Sequence, residues 1–159
     1  MIVIRCETGD DVEVDGDTLV GATLSGLNLH RALLGGQMLR GADLSGAELR
    51  TAWLEGTVLD RANLRQASLA ACNASRASFA GASLIDAMMR CGLFVGADFS
   101  GANLGGAKVE DAHFECAILK GADLRCQGLE DAILAGAMAD SMTIWPEGFE
   151  PAKYGVIMA

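Results

Sequence analysis

Residues Gly41–Gly56 read GADLSGAELRTAWLEG, with leucine at 44, 49 and 54. An α-helix turns about 100° per residue, so a five-residue spacing carries the side chain round by about 140° and scatters it over the helix surface. A strand has a period of two, so every fifth residue alternates between its faces. Neither regular element accounts for the spacing.

Followed both ways from Leu44, the register runs from position 19 to position 139 as 25 consecutive five-residue units without insertion. The central residue is Leu in 17 units and Phe in four (Phe79, Phe94, Phe99, Phe114), with Ala74, Ala139, Met89 and Val109 in the rest. Two residues before the centre Ala stands in 18 units, and two after it Gly stands in 12. A fixed period of this kind marks a repeat architecture. A chain that makes one corner per unit points every centre, Leu44, Leu49, Leu54 and Leu64 among them, at a common axis. Glycine tolerates the backbone angles of a tight corner, and alanine fits the small inward space beside each leucine.

The number of sides per coil is testable on the sequence. With four sides, positions four units apart stack, and 23, 43, 63, 83, 103 and 123 read Thr, Asp, Asn, Ser, Asn, Asp, all small and polar and suited to hydrogen-bonded ladders. Three sides would stack 43, 58, 73, 88 and 103, a mixture of Asp, Val, Asn, Met and Asn. Four sides also places Phe79 under Phe99 and Phe94 under Phe114.

The units GADLS (41–45), RANLR (61–65), GADFS (96–100), GANLG (101–105) and GADLR (121–125) resemble the A(D/N)LXX pattern of the pentapeptide-repeat family. The resemblance covers residues 17–141. It implies an all-β fold, a right-handed quadrilateral β-helix of about six coils. At about 4.8 Å between stacked strands the solenoid is expected to be roughly 30 Å long.

Solenoids need caps at their open ends. Residues 1–16 are expected to supply one, with IVIRCE and VEV flanking the turn-like Thr8-Gly9-Asp10-Asp11 as a strand or hairpin. Residues 142–159 hold both prolines, Pro146 and Pro151. They mark a boundary because proline interrupts strand ladders. The tail resembles the T-x-W-P-x-G-F-D-P ending of bacterial members of the family, with Glu150 in place of Asp. Trp145, Phe149, Tyr154, Val156 and Ile157 are expected to cover the last coil; alternatively the tail pairs two chains, so the expected state is a monomer or a homodimer through this tail.

The composition narrows the function classes. No run approaches 18 apolar residues, so no membrane span is expected, and the short apolar start MIVIRCETGDD does not read as a signal peptide. The net charge of −9 argues against direct binding of nucleic acid or anionic membrane. Five cysteines at 6, 72, 91, 116 and 126 form no CxxC pair and read as free thiols of a cytoplasmic protein.

An interior filled by Leu, Phe and Ala leaves no pocket for catalysis. His30 and His113 fall in different columns, and His113 with Cys116 makes too few ligands for a metal site. Gly101 to Gly106 has the spacing of a phosphate-binding loop, but Ala107 stands where lysine is required. No enzyme activity, metal or cofactor is expected.

Two surfaces remain. Glu110, Asp111, Glu130 and Asp131, with Glu115 near, stack on one corner as a candidate anionic patch. Some members of the family act as acidic rods that imitate DNA and bind DNA gyrase, protecting it against quinolones. Duplex DNA carries about 18 charges over about 30 Å, whereas residues 17–141 hold 14 acids against 10 Lys or Arg. This chain also lacks the inserted loops of gyrase-protecting relatives. The second surface is apolar, with outward Leu33, Trp53, Met38 and Val58 lying close together. The reading is a non-catalytic scaffold that binds an unidentified protein partner, with modulation of DNA gyrase as the alternative.

Overall fold

The computed structural model describes all residues, 1–159, as a β-helical solenoid whose corners follow one rule. In each regular corner the N–H two residues before a centre donates to the preceding centre's carbonyl, as Ala47 N does to Leu44 O at 3.0 Å. The residue two past the centre then has positive φ, 63° at Gly46, as in a type II turn. The twelve glycines at this position all adopt it, and so do ten other residues, among them Thr51, Arg61, Arg76 and Asp111.

Coils stack as short parallel strands. Thr23 pairs with Asp43, Asp43 with Asn63, and Asn63 with Ser83, so four units complete one turn. Each centre donates up the stack and the residue before it donates down: Leu44 N to Asn63 O at 2.7 Å, and Asp43 N to Ala22 O at 2.9 Å. This arrangement explains the Asp or Asn before the centre. Asp43, Asn63, Asn103 and Asp123 each accept from the backbone N–H two residues on, at 2.9–3.2 Å, and so brace the corner. Only one of these side chains also bridges coils, Asn63 Nδ2 donating to Asp43 Oδ1 at 3.1 Å. The polar column is thus mainly a set of separate corner braces, not the continuous ladder expected.

Leu44, Leu49, Leu54 and Leu64 are buried, in one continuous core. Phe79 stacks on Phe99 with ring centroids 4.8 Å apart, and Phe94 on Phe114 at 5.3 Å. The two stacks meet edge-on, with Phe94 5.6 Å from Phe99. Their bulk is offset by small neighbours. Ala74 sits in the column below Phe94, and a Cβ at Gly92 would lie 2.5 Å from the Phe94 ring. Both departures from the repeat pattern thus compensate for the volume of the phenylalanine stacks.

The coil-to-coil register slips in two places although the five-residue count does not. Lys108 pairs with Gln127 where the regular step would reach Gly128, and Asp123 pairs with Ile144 where it would reach Thr143. The unit Cys126–Glu130 places Gln127 where Ala usually points inward. Burying that amide without a partner would be costly; the chain instead turns Gln127 outward and packs Cys126 against the core. Gly128, at φ 80°, then leads into a 3-10 turn, Leu129–Asp131.

At the N-terminus β1 (Ile2–Ile4) and β2 (Val12–Val14) form an antiparallel pair, and Cys6 pairs antiparallel with Ala32 of the first coil. At the other end Trp145, Phe149 and Tyr154 stack in sequence, with centroids 5.4 and 4.6 Å apart. Val156 is buried, but Ile157 is 53% exposed and does not cover the coil. It belongs to β4 (Ile157–Met158), which extends the ladder by pairing in parallel with β3 (Met138–Ala139). No helix is long and apolar enough to cross a membrane.

Candidate interaction surfaces

Pairing at every fourth unit turns each outward position into a column along the rod. One side carries Leu33, Trp53, Asn73, Leu93, His113 and Ile133 as consecutive parallel partners. Four of these are large, apolar and exposed: Leu33 at 45%, Trp53 at 47%, Leu93 at 38% and Ile133 at 42%. The indole of Trp53 is held down on Gly35, where a Cβ would come within 2.6 Å of Cδ1 and Nε1. Glycine there is required by the close approach of the ring, since its φ is not positive. On the adjoining side Met38 pairs with Val58; Met38 is exposed and Val58 half-buried. The structure therefore brings Leu33, Met38, Trp53 and Val58 onto two neighbouring sides of the first coils. Leu93 and Ile133 continue the column beyond them, a continuation legible in the same four-unit spacing.

The acidic residues are less uniform than their sequence spacing implies. Glu110 lies tightly against Gly128, where a Cβ would clash with its Cγ, and its Oε2 is 3.5 Å from Arg90 Nε. Glu115 meets His113 Nδ1 at 3.1 Å. The regular bond from the Asp111 N–H to the next coil is not made, because Glu130 and Asp131 lie in the 3-10 turn. Glu130 faces a hollow of about 290 Å³ shared with Glu147, Glu150 and Lys153 of the tail. The expected stack of four carboxylates is thus divided by the register slip at Gln127.

The same edge carries the cations Arg31, Arg50 and Arg90 nearer the N-terminus, with His30 beside Arg31, in corner positions equivalent to those of the acids. Arg31 pairs with Glu7 at 2.8 Å and Arg50 with Glu48 at 3.6 Å. Elsewhere, hydrogen bonds from the Ser45 hydroxyl and N–H and from Asn63 hold the Asp43 carboxyl below the ordinary carboxylate range, and the Arg125 side chain does the same for Asp123. Burial pushes the Cys72 and Cys126 thiols up to about 12, which makes them poor nucleophiles. No three His, Cys, Asp or Glu side chains are grouped to hold a metal ion.

The Pentapeptide repeats family pattern matches residues 19–56, 57–90 and 93–125, as eight copies. No curated protein sequence matches the chain. Among solved structures, the chain is similar to HetL, a pentapeptide repeat protein involved in heterocyst differentiation regulation from the cyanobacterium Nostoc sp. strain PCC 7120. The identity is 29% with a TM-score of 0.65, over 86% of this chain but only 66% of HetL. It is also similar to alr5209, a pentapeptide repeat protein of Nostoc PCC 7120, at 30% identity and TM-score 0.62, over 64% of this chain and 84% of that one. A trypsin-treated form of QnrB1, a plasmid-mediated fluoroquinolone resistance protein, shares the fold alone, at 15% identity and TM-score 0.50, over 92% of this chain and 86% of that one. The repeats, their corners and these matches together place the chain in the pentapeptide-repeat family.

Proposed function

We propose that this chain is a non-catalytic rod of about six coils, capped at both ends, whose apolar side binds another protein. The observation that carries this reading is the exposed column centred on Trp53. A solvent-facing side built only for solubility has no use for four large apolar residues in line, whereas the centre of a binding patch is built from such side chains. The rigid coil-to-coil ladder holds them in place before binding, so little order has to be imposed on association.

The test compares immobilised wild type with Trp53→Asp in cell extract, followed by titration of any recovered protein, purified, against both. Loss of a specific partner with Trp53→Asp is expected; recovery of the same proteins at the same affinity by both would overturn the reading.

The second reading, modulation of DNA gyrase by an acidic edge, draws on the fold shared with QnrB1 and on the exposed Asp111, Glu130 and Asp131. The charge count weighs against it, as does the engagement of Glu110 and Glu115 within the chain. Gyrase supercoiling with and without a fluoroquinolone decides between the two. Inhibition or drug protection that is lost when Glu110, Asp111, Glu130 and Asp131 are neutralised would replace the scaffold reading with this one.

A further inference from the structure

We infer that the apolar side takes a second copy of this chain, laid antiparallel against it; this rests on the reading of that side as a binding surface. The argument is the pattern of charge along the edge beside the column. Residues 18–78 hold four acids against six Lys or Arg, while residues 79–141 hold nine against four. On the edge itself the sign changes between Arg90 and Glu110.

A two-fold axis lying in the interface, across the rods, sets each edge against its own counterpart with the direction reversed. The cationic row at Arg50 then faces the acidic row at Glu110 and Asp111. The row at His30 and Arg31 faces Glu130 and Asp131, and the small Ala70 and Ala71 face Arg90. Within the column Leu33 meets Ile133. On the far edge Glu55 faces Glu115, one like-charged row that opposes the pair. Among the favourable rows Arg31, Arg50 and Glu110 also have partners in their own chain, whereas Asp111, Glu130 and Asp131 have none. A parallel pair would instead set Glu110 against Glu115 and Arg50 against Glu55, which Arg76 already holds, and leave Arg31 and Arg90 facing no acid. Self-complementarity of this kind selects the antiparallel pair.

The area bounds the strength. Six rows about 4.8 Å apart on a side about 10 Å wide give roughly 300 Å² of flat surface per copy. That is below the roughly 800 Å² per partner of a standard interface, so the association is weak and depends on salt.

Arg50→Glu and Asp111→Arg provide the test. Arginine suits the Asp111 corner, because Arg31, Arg61 and Arg76 occupy equivalent corners at φ 57–59°. Sedimentation at concentrations up to about 0.5 mM should show a wild-type dimer that weakens with added salt, and monomers for each variant alone. An equimolar mixture of the two should dimerise again. The acid introduced at position 50 of one chain then faces the base introduced at position 111 of the other, and the native Asp111 faces the native Arg50. Circular dichroism of each variant should match wild type. A monomeric wild type over this range overturns the inference; if Trp53→Asp still loses a captured partner, the scaffold reading stands without it. A wild-type dimer with a mixture that remains monomeric also overturns it, and assigns the contact to another surface.

Discussion

At the scale of single residues, the corner decides the energetics. Ten side-chain-bearing residues sit at positive φ in these corners, where an L-residue costs about 1–2 kcal/mol. Thr51, at φ 53°, is the β-branched one among them and the most strained in kind. Its hydroxyl donates to the Arg50 carbonyl at 2.7 Å, an exposed bond that water replaces at little cost. Thr51→Gly should therefore raise stability by about 1 kcal/mol, less than the full strain because glycine is freer in the unfolded chain. Denaturant unfolding measures it; a destabilised variant would show that the corner is not strained by its side chain. Half of this was legible in advance, since glycine at 12 of 25 units pointed to a corner requiring positive φ. The occupants that defy that preference were not legible, because the ladder on either side forces the conformation on whatever residue stands there.

At the scale of the coil, burial assigns inside and outside. Leu64 is fully buried and Arg65, the next residue, is exposed. Leu64→Asp removes about 1.5–3 kcal/mol of apolar burial and adds an unpaired carboxylate to the core, so it should unfold the middle coils. Even Leu64→Ala should cost about 2–5 kcal/mol. Arg65→Asp should melt within a few degrees of wild type, and equal tolerance at both positions would overturn the inward assignment. The period alone gave this much, and it gave the columns, because stacking every fourth unit is arithmetic once four sides are known. What the period could not give is the slip at Cys126–Gln127–Gly128. There the count of five is intact, and the departure lies in which residue the core accepts. The signal was present in the unit itself, with Gln127 at the alanine position and Gly128 where no other unit has glycine. Reading it needed the size and polarity of one site weighed against the repeat, and the regular stack of acidic residues is divided there for that reason. The exposed side of Ile157 was hidden similarly, since an apolar tail residue serves equally well to cover a coil or to extend one.

At the scale of the whole molecule, the surface depends on angular phase between the two halves of the rod. Stability is nearly a sum of coils and their nearest-neighbour contacts, so segments can be removed if the ladder closes again. Deleting Leu54–Asn73 takes out four units, one whole turn. Trp53 then runs into Ala74, which remains in the column below Phe94, and every later residue keeps its side. The row lost is the neutral one at Ala70 and Ala71, so the outer cationic and acidic rows still face each other in the antiparallel pair. Arg90 then meets its own counterpart across the axis, but each is already held by Glu110 of its own chain. Deleting Leu54–Val58 removes only one unit. The later coils keep their own stacking but turn by one side relative to the earlier ones, which carries Leu93, Glu110 and Ile133 off the line of Leu33, Arg50 and Trp53. Both variants should show the β signature of wild type by circular dichroism and unfold cooperatively. The full-turn deletion should still self-associate, more weakly than wild type, and the single-unit deletion should be monomeric. If both deletions dimerise equally, the contact does not use a surface that spans the two halves, and the end of the rod beyond β4 becomes the place where chains meet.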